Sequence, residues 1–170
     1  MKTQQLLKAL IGVLTVALVL VVYDSIREPN VVVGDTAPNF KVVTDSGKTL
    51  TRTDFGGKVL VLNFWATWCP PCREELPSLN RFQQQLAGTG IVVLGVSVDK
   101  NEQVYKAFLK RNGVTFETSR DPEANVSADY GTFKYPETYV IDANGKVRQK
   151  YIGEVDWMDP QVVGSIKALL

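Results

Sequence analysis

Cys69 and Cys72, the only cysteines of the chain, stand in Trp65-Ala66-Thr67-Trp68-Cys69-Pro70-Pro71-Cys72-Arg73-Glu74-Glu75. Just before them, Val59-Leu60-Val61-Leu62-Asn63-Phe64 is an apolar, β-branched run of the kind that forms a buried strand. Just after them, Leu76, Leu79, Phe82 and Leu86 recur at helical spacing. A Cys-x-x-Cys where a strand gives way to a helix suits redox chemistry. Cys69 falls at the helix N-cap and Cys72 in the first turn, where unpaired backbone N–H groups and the positive end of the helix dipole favour a thiolate. Pro70 and Pro71 take early helical positions at which a missing N–H costs little. An ionised Cys69 would attack a disulfide, and Cys72 would resolve the mixed disulfide from within the same turn. Two other uses of the pair compete with this one. A structural staple across so short a loop stabilises by about 2 kcal/mol on chain-entropy grounds, against about 4–5 kcal/mol for a long loop. A zinc centre needs two further ligands, normally Cys or His; the chain has no third cysteine and no histidine, so no metal is expected.

The elements that must position this pair follow from the rest of the chain. Its 170 residues, 45% hydrophobic and 22% charged, suffice for one domain with a full core. The net charge is +1, and acidic and basic residues balance from Gly34 onward, which argues against a nucleic-acid partner. The lack of histidine excludes mechanisms with an imidazole base and most haem or copper ligation.

Leu6 to Tyr23 is almost wholly apolar, with Lys8 its one charge. As a helix it would rise about 27 Å, close to the hydrocarbon thickness of a bilayer, and Lys8 can snorkel from near its end. A cleaved signal peptide would need a small-x-small pattern near residues 22–27, where Tyr23 and Ile26 stand instead. A core helix would need a polar face, and only Thr15 interrupts this one. The reading is a short N-terminus over 1–5, an uncleaved transmembrane anchor over 6–23, a linker over 24–33 and a folded domain over 34–170. Lys2 and Lys8 precede the apolar run, while Asp24 and Glu28 with a single Arg27 follow it. The positive-inside rule then places the N-terminus in the cytoplasm and the domain in the periplasm or another extracytoplasmic space, with Tyr23 at the far interface.

Within the domain, Lys41-Val42-Val43 and Lys48-Thr49-Leu50-Thr51 flank Asp45-Ser46-Gly47 as a hairpin. Ile91 to Val98 is a second continuously apolar strand, as a parallel sheet covered on both faces requires. Asn101 caps a helix to about Arg111, with Val104, Phe108 and Leu109 on its inner face and Gly113 as its stop. Thr115 to Thr118 is a short strand or extended link, and Asp121-Pro122 starts a short helix to about Tyr130. Thr138 to Asp142 and Lys146 to Ile152 pair across Ala143-Asn144-Gly145. Asp159-Pro160 opens a last helix to Leu170. The order predicts an α/β domain, a central mixed sheet with helices on both faces and an extra N-terminal hairpin.

Three stretches in this order carry a resemblance: Asn63 to Pro77 around the cysteines, Gly95-Val96-Ser97-Val98-Asp99, and Tyr135-Pro136-Glu137-Thr138-Tyr139-Val140-Ile141-Asp142. From Gly34 to Leu170 the chain resembles the thioredoxin superfamily. More narrowly it resembles the membrane-anchored TlpA/ResA-like thiol–disulfide oxidoreductases and CcmG, the thioredoxin of cytochrome c maturation. The resemblance implies a thioredoxin-like fold without cofactor and a redox disulfide Cys69–Cys72. It implies that Pro136 is a cis proline facing the pair, with Tyr135, Trp68, Pro70 and Pro71 beside the substrate. Asn63 replaces the buried aspartate of many thioredoxins, so that acid/base route is missing. Glu75 matches an acidic residue of the family; burial would raise its pKa and let it shuttle the Cys72 proton. A solvated first-turn acid that favours the helix dipole is the competing view of Glu75. Arg73 can support a thiolate or stand as a solvated helix charge.

The function so implied is reduction of protein disulfides outside the cytoplasm, with apocytochrome c as substrate and a transmembrane thiol carrier as electron donor. A general reductase, oxidase or isomerase is the alternative enzyme. A metallochaperone would want Cys-x-x-x-Cys and a histidine, and a peroxidase an isolated attacking cysteine in a Thr-x-x-Cys setting.

Overall fold

The computed structural model describes residues 2–25 and 30–170. Helix α1 (Lys2–Ser25) contains a 19-residue stretch, Gln4–Val22, long and apolar enough to cross a membrane, and none of it is buried against the protein. The side chain of Tyr23 and the linker residues 26–29 lie outside the described parts.

Strands β1 (Lys41–Val43) and β2 (Thr49–Thr51) form the expected hairpin, and a 3-10 turn (Arg52–Phe55) leads to β3 (Val59–Trp65). Then come α2 (Pro70–Gln85), β4 (Ile91–Ser97), α3 (Glu102–Asn112), β5 (Glu117–Arg120), α4 (Asn125–Asp129), β6 (Glu137–Ile141), β7 (Val147–Ile152) and α5 (Pro160–Lys167). The five-stranded sheet runs β5-β4-β3-β6-β7, with β3, β4 and β5 parallel to one another, β6 antiparallel to β3 and β7 antiparallel to β6. β3 lies at its centre and is buried along its whole length, which is why its sequence shows no polar alternation. Val59, Val61 and Trp65 face one core, with Leu79, Phe82, Tyr105, Phe108, Trp157 and Ile166. Leu60, Leu62 and Phe64 face the other, with Phe40, Phe55, Tyr130, Tyr139 and Val147. Strand alternation puts Asn63 on the first face, among apolar neighbours and beside α2.

Helix ends obey the local chemistry read from the sequence. Asn101 Oδ1 accepts from Val104 N–H at 3.0 Å, and Gly113, at φ 59°, closes α3. Asp159 Oδ1 accepts from Gln161 N–H at 2.7 Å at the start of α5. Four details differ from expectation. The inner face of α3 is Tyr105 and Phe108, while Val104 is exposed. Tyr105 turns inward because its hydroxyl finds Asp45 at 2.5 Å, an acceptor that also takes Thr118 Oγ1–H. β5 lies two residues later than the extended stretch expected at 115–118. The short helix begins at Asn125, because Asp121 first spends its carboxylate on the N–H groups of Asn125, Val126 and Ser127. α5 ends at Lys167, short of Leu170, which is exposed.

Val31, assigned to the linker by composition, is buried in the second core. Its N–H donates to Tyr130 O at 3.3 Å, and its carbonyl accepts from Lys150 Nζ at 3.1 Å. Lys150 is itself paired with the buried Glu137 at 2.8 Å.

Candidate active site

The C-terminal end of β3 delivers Trp65 and then the loop to Cys69, the N-cap of α2. That loop is held by Asp99, which follows β4. Asp99 Oδ2 accepts from Thr67 N–H (2.8 Å) and Ser97 Oγ–H (2.6 Å), and Oδ1 accepts from Thr67 Oγ1–H (2.7 Å). Asp99 is buried, so these three bonds are what make a carboxylate tolerable there. The cysteine ends up at a fixed place because its upstream loop is clasped by the neighbouring strand.

Cys69 and Cys72 form a disulfide with Cα atoms 5.3 Å apart, and both are almost fully buried. Cys69 has extended backbone angles, and its sulfur accepts from Cys72 N–H at 3.3 Å. This is the helix-cap geometry expected from spacing: one of the unpaired first-turn donors points at the first sulfur. Pro70 and Pro71 open the helix, where neither leaves a backbone acceptor unserved. The carbonyl oxygen of Tyr135 lies 3.4 Å from Cys69 Sγ, and the Tyr135–Pro136 bond is cis. Trp68 stands 62% exposed with its ring edge-on to Tyr135 at 6.2 Å. Trp65, by contrast, is a core residue against Tyr105 and Phe108. The structure thus brings Trp68, Cys69, Pro70, Pro71, Cys72, Tyr135 and Pro136 to one place. Arg73 is exposed on the helix surface.

Glu75, one turn after Cys72, is not a solvated acid: it is 4% exposed. Its Oε1 accepts from Asn63 Nδ2 at 2.8 Å, and its Oε2 from Val155 N–H at 3.2 Å and Trp157 Nε1–H at 3.3 Å. Burial pushes its pKa up to about 7, against the pull of those three donors and with some help from the nearby Glu154 charge. A cleft of about 300 Å³ is lined by Glu75 together with Glu74, Arg81, Glu154 and Asp156. The exposed Glu154 carboxyl is itself held above its ordinary range by hydrogen bonding to Glu74. Asn63 Nδ2 donates to Thr138 Oγ1 as well, at 2.9 Å, so a single amide ties Glu75 of α2 to β6, the strand that directly follows Pro136.

Sequence reasoning recognised Asn63 as a departure from the common aspartate but missed this bridging role, and it gave Asp99, Val155 and Trp157 no part. A lone acid at the end of a continuously apolar strand was the available signal for Asp99. Among the described residues no three or more Cys, Asp or Glu side chains gather as metal ligands.

Comparison with known proteins agrees with this geometry. The AhpC/TSA family model matches residues 33–150. A thiol-disulfide oxidoreductase ResA of Bacillus thuringiensis is 34% identical over 128 residues, 75% of this chain and 74% of that protein. A thiol:disulfide interchange protein DsbE of Pseudomonas fluorescens is 37% identical over 141 residues, 80% of this chain and 77% of that protein. A crystal structure of a thioredoxin-family thiol:disulfide interchange protein from Chlorobium tepidum superposes with a TM-score of 0.68 at 31% identity, covering 81% of this chain and 99% of that one. With a sheet order, a capped cysteine pair and relatives that all agree, the chain belongs to the AhpC/TSA family and is a thioredoxin-like thiol–disulfide oxidoreductase of the ResA/DsbE type.

Proposed function

We propose that the protein is a membrane-anchored reductant that acts outside the cytoplasm on protein disulfides, with apocytochrome c as its substrate and a transmembrane thiol carrier as its donor. The observation that carries this reading is the seat of Cys69 Sγ, which faces the Cys72 N–H on one side and the Tyr135 carbonyl on the other. In the reduced protein the Cys69 thiolate attacks one sulfur of the substrate disulfide. A mixed disulfide forms and the substrate's other sulfur leaves as a thiolate. Cys72 gives its proton to the Glu75 carboxylate and attacks Cys69 Sγ, which releases the second substrate thiolate and leaves Cys69–Cys72 oxidised. A donor dithiol then returns two electrons and resets the pair.

Helix α1, with Lys2 before its apolar stretch, Lys8 near the N-terminal end of it and Asp24 beyond its other end, supports anchoring with the domain outside. A dithiol reductant is useful where oxidation is the default state of cysteines. The Pro136-Glu137-Thr138 run favours the cytochrome c branch.

The test is to express the full-length Cys72→Ser variant in cells and identify what is disulfide-linked to Cys69. Apoproteins with haem-binding cysteines are the expected catch. Unrelated secreted proteins would make it a general reductase. A Cys69–Cys72 potential well below −200 mV fits a reductant, whereas one near −120 mV would overturn the direction proposed.

A further inference from the structure

The segment that joins β7 to α5, residues 153–157, stitches the Pro136 loop to α2. At its start Gly153 N–H donates to Pro136 O at 2.9 Å. In its middle Val155 N–H donates to Glu75 Oε2 at 3.2 Å, and at its end Trp157 Nε1–H donates to the same oxygen at 3.3 Å. Glu154 and Asp156 alternate with these two residues and are exposed.

Trp157 is fully buried, and its place is fixed twice over. Its ring packs edge-on against Phe82 of α2 at 5.8 Å and against Tyr151 of β7 at 5.6 Å. Its backbone N–H donates to Ser78 Oγ at 3.2 Å, and the Ser78 hydroxyl hydrogen lies within reach of Glu75 O at 2.8 Å and Val155 O at 3.3 Å. Glu75 and Ser78, three residues apart, share one face of α2, so the helix grips both the indole and the backbone of a single residue. Trp65 is buried as well, yet among the described residues its Nε1–H meets no acceptor. Packing alone accounts for Trp65, but Trp157 has its N–H aimed at a buried acid.

We infer that Trp157 is a positioning residue for the reaction: its indole N–H, seated by Ser78 and the surrounding rings, holds the Glu75 carboxylate and favours its charged form, and so sets how readily Glu75 takes the Cys72 proton. This rests on the reductase reading with Glu75 as proton acceptor. A carboxylate gains more from a donor than the neutral acid does. Of the three donors to Glu75, Val155 uses its backbone and Asn63 also serves Thr138. Trp157 is the side-chain donor given to Glu75 alone. The charged and titratable groups around this carboxylate are Cys72, Glu74 and Arg81 on α2 and Glu154 and Asp156 on the segment itself, while β3 and β6 present the neutral Asn63 and Thr138.

The test uses the full-length, detergent-solubilised protein and has two arms. The first needs no activity and leaves Trp157 in place. In the oxidised chain, where Cys72 does not titrate, the indole N–H resonance of Trp157 should move with a midpoint near pH 7 in the wild type and stay still in Glu75→Gln. A wild-type resonance that does not move overturns the inference. The second arm mixes reduced protein with a nitroaryl disulfide, whose two coloured thiolates leave in turn, the first on attack by Cys69 and the second on attack by Cys72. Trp157→Phe keeps the ring packing and removes one charge-assisted donor, so the midpoint of the second release should rise by about one pH unit. That slows the second release about fivefold at pH 7 and leaves it unchanged at pH 9. In the Glu75→Gln background the same substitution should change nothing. An unmoved midpoint, or an equal slowing in both backgrounds, would give Trp157 a packing role and overturn the inference. A moving indole resonance beside a second release that Glu75→Gln leaves untouched would instead remove Glu75 from proton transfer, and this role of Trp157 with it. A protein inert toward the nitroaryl disulfide would sink the reductase reading itself.

Discussion

Replacing Glu75 with glutamine separates its charge from its shape. In the folded protein its pKa stands at about 7 against an ordinary 4.5, with burial as the main cause. Below pH 4.5 the carboxyl is protonated whether the chain is folded or not. Between 4.5 and 7 the unfolded chain loses this proton while the folded one keeps it, so stability falls as pH rises through that window and is level above it. The difference corresponds to about 3 kcal/mol at 1.36 kcal/mol per pKa unit. Glutamine removes the ionisation. Its amide oxygen can still accept from Val155 N–H and Trp157 Nε1–H. Its NH₂ can meet Asn63 once that amide turns over to present oxygen, with Thr138 Oγ1–H then donating to Asn63. Each reoriented amide leaves an N–H without a partner, a cost that does not change with pH, so the stability of the variant relative to the wild type should rise by about 3 kcal/mol between pH 4 and pH 8. Urea unfolding of the oxidised, detergent-solubilised chain, followed by tryptophan fluorescence at the two pH values, measures this. Every other carboxylate is common to both proteins and cancels. A stability difference that is the same at pH 4 and pH 8 would refute the raised pKa and remove Glu75 as an acid poised near neutrality. The same variant should reduce disulfides more slowly and lose the step near pH 7 from its rate profile.

Two further outcomes test the scaffold around the sulfur. Asp99→Ala leaves the buried Thr67 N–H without its acceptor and should cost about 3 kcal/mol in urea unfolding; alkylation of reduced Cys69 should also slow, because the loop before it is no longer clasped. Gly95→Ala puts a methyl 2.9 Å from Phe116 Cε2 and 3.0 Å from Trp65 Nε1, and should cost about 1–3 kcal/mol by overpacking, read as a lowered urea midpoint at unchanged slope.

What sequence could disclose here was local. Caps, turns and the cysteine pair depend on residues within a few positions, and Asn101, Gly113, Asp159, the 143–145 turn and Cys69 all did what their neighbours imply. What stayed hidden was long-range. Asn63 meets Glu75 12 residues away and Thr138 75 away, and Asp99 meets Thr67 32 away. Nothing in composition says which buried polar group another will find. The inner face of α3 was misplaced for the same reason: Val104 and Tyr105 fit helical periodicity about equally, and an aspartate near the first hairpin decides between them. Glu75 was recognised as an acid at the right place, but its burial depends on Val155 and Trp157 arriving from 80 and 82 residues downstream.

The clasp on Val31 governs where the domain can be cut from α1. A soluble fragment begun at Gly34 would discard a side chain of the second core and leave Tyr130 O without its Val31 donor and Lys150 Nζ without one of its acceptors. A fragment begun at Asn30 keeps all three interactions. A truncation point chosen where hydropathy falls would thus shave off a fastener that the sheet relies on, and the fragment's fragility would be wrongly blamed on the loss of α1.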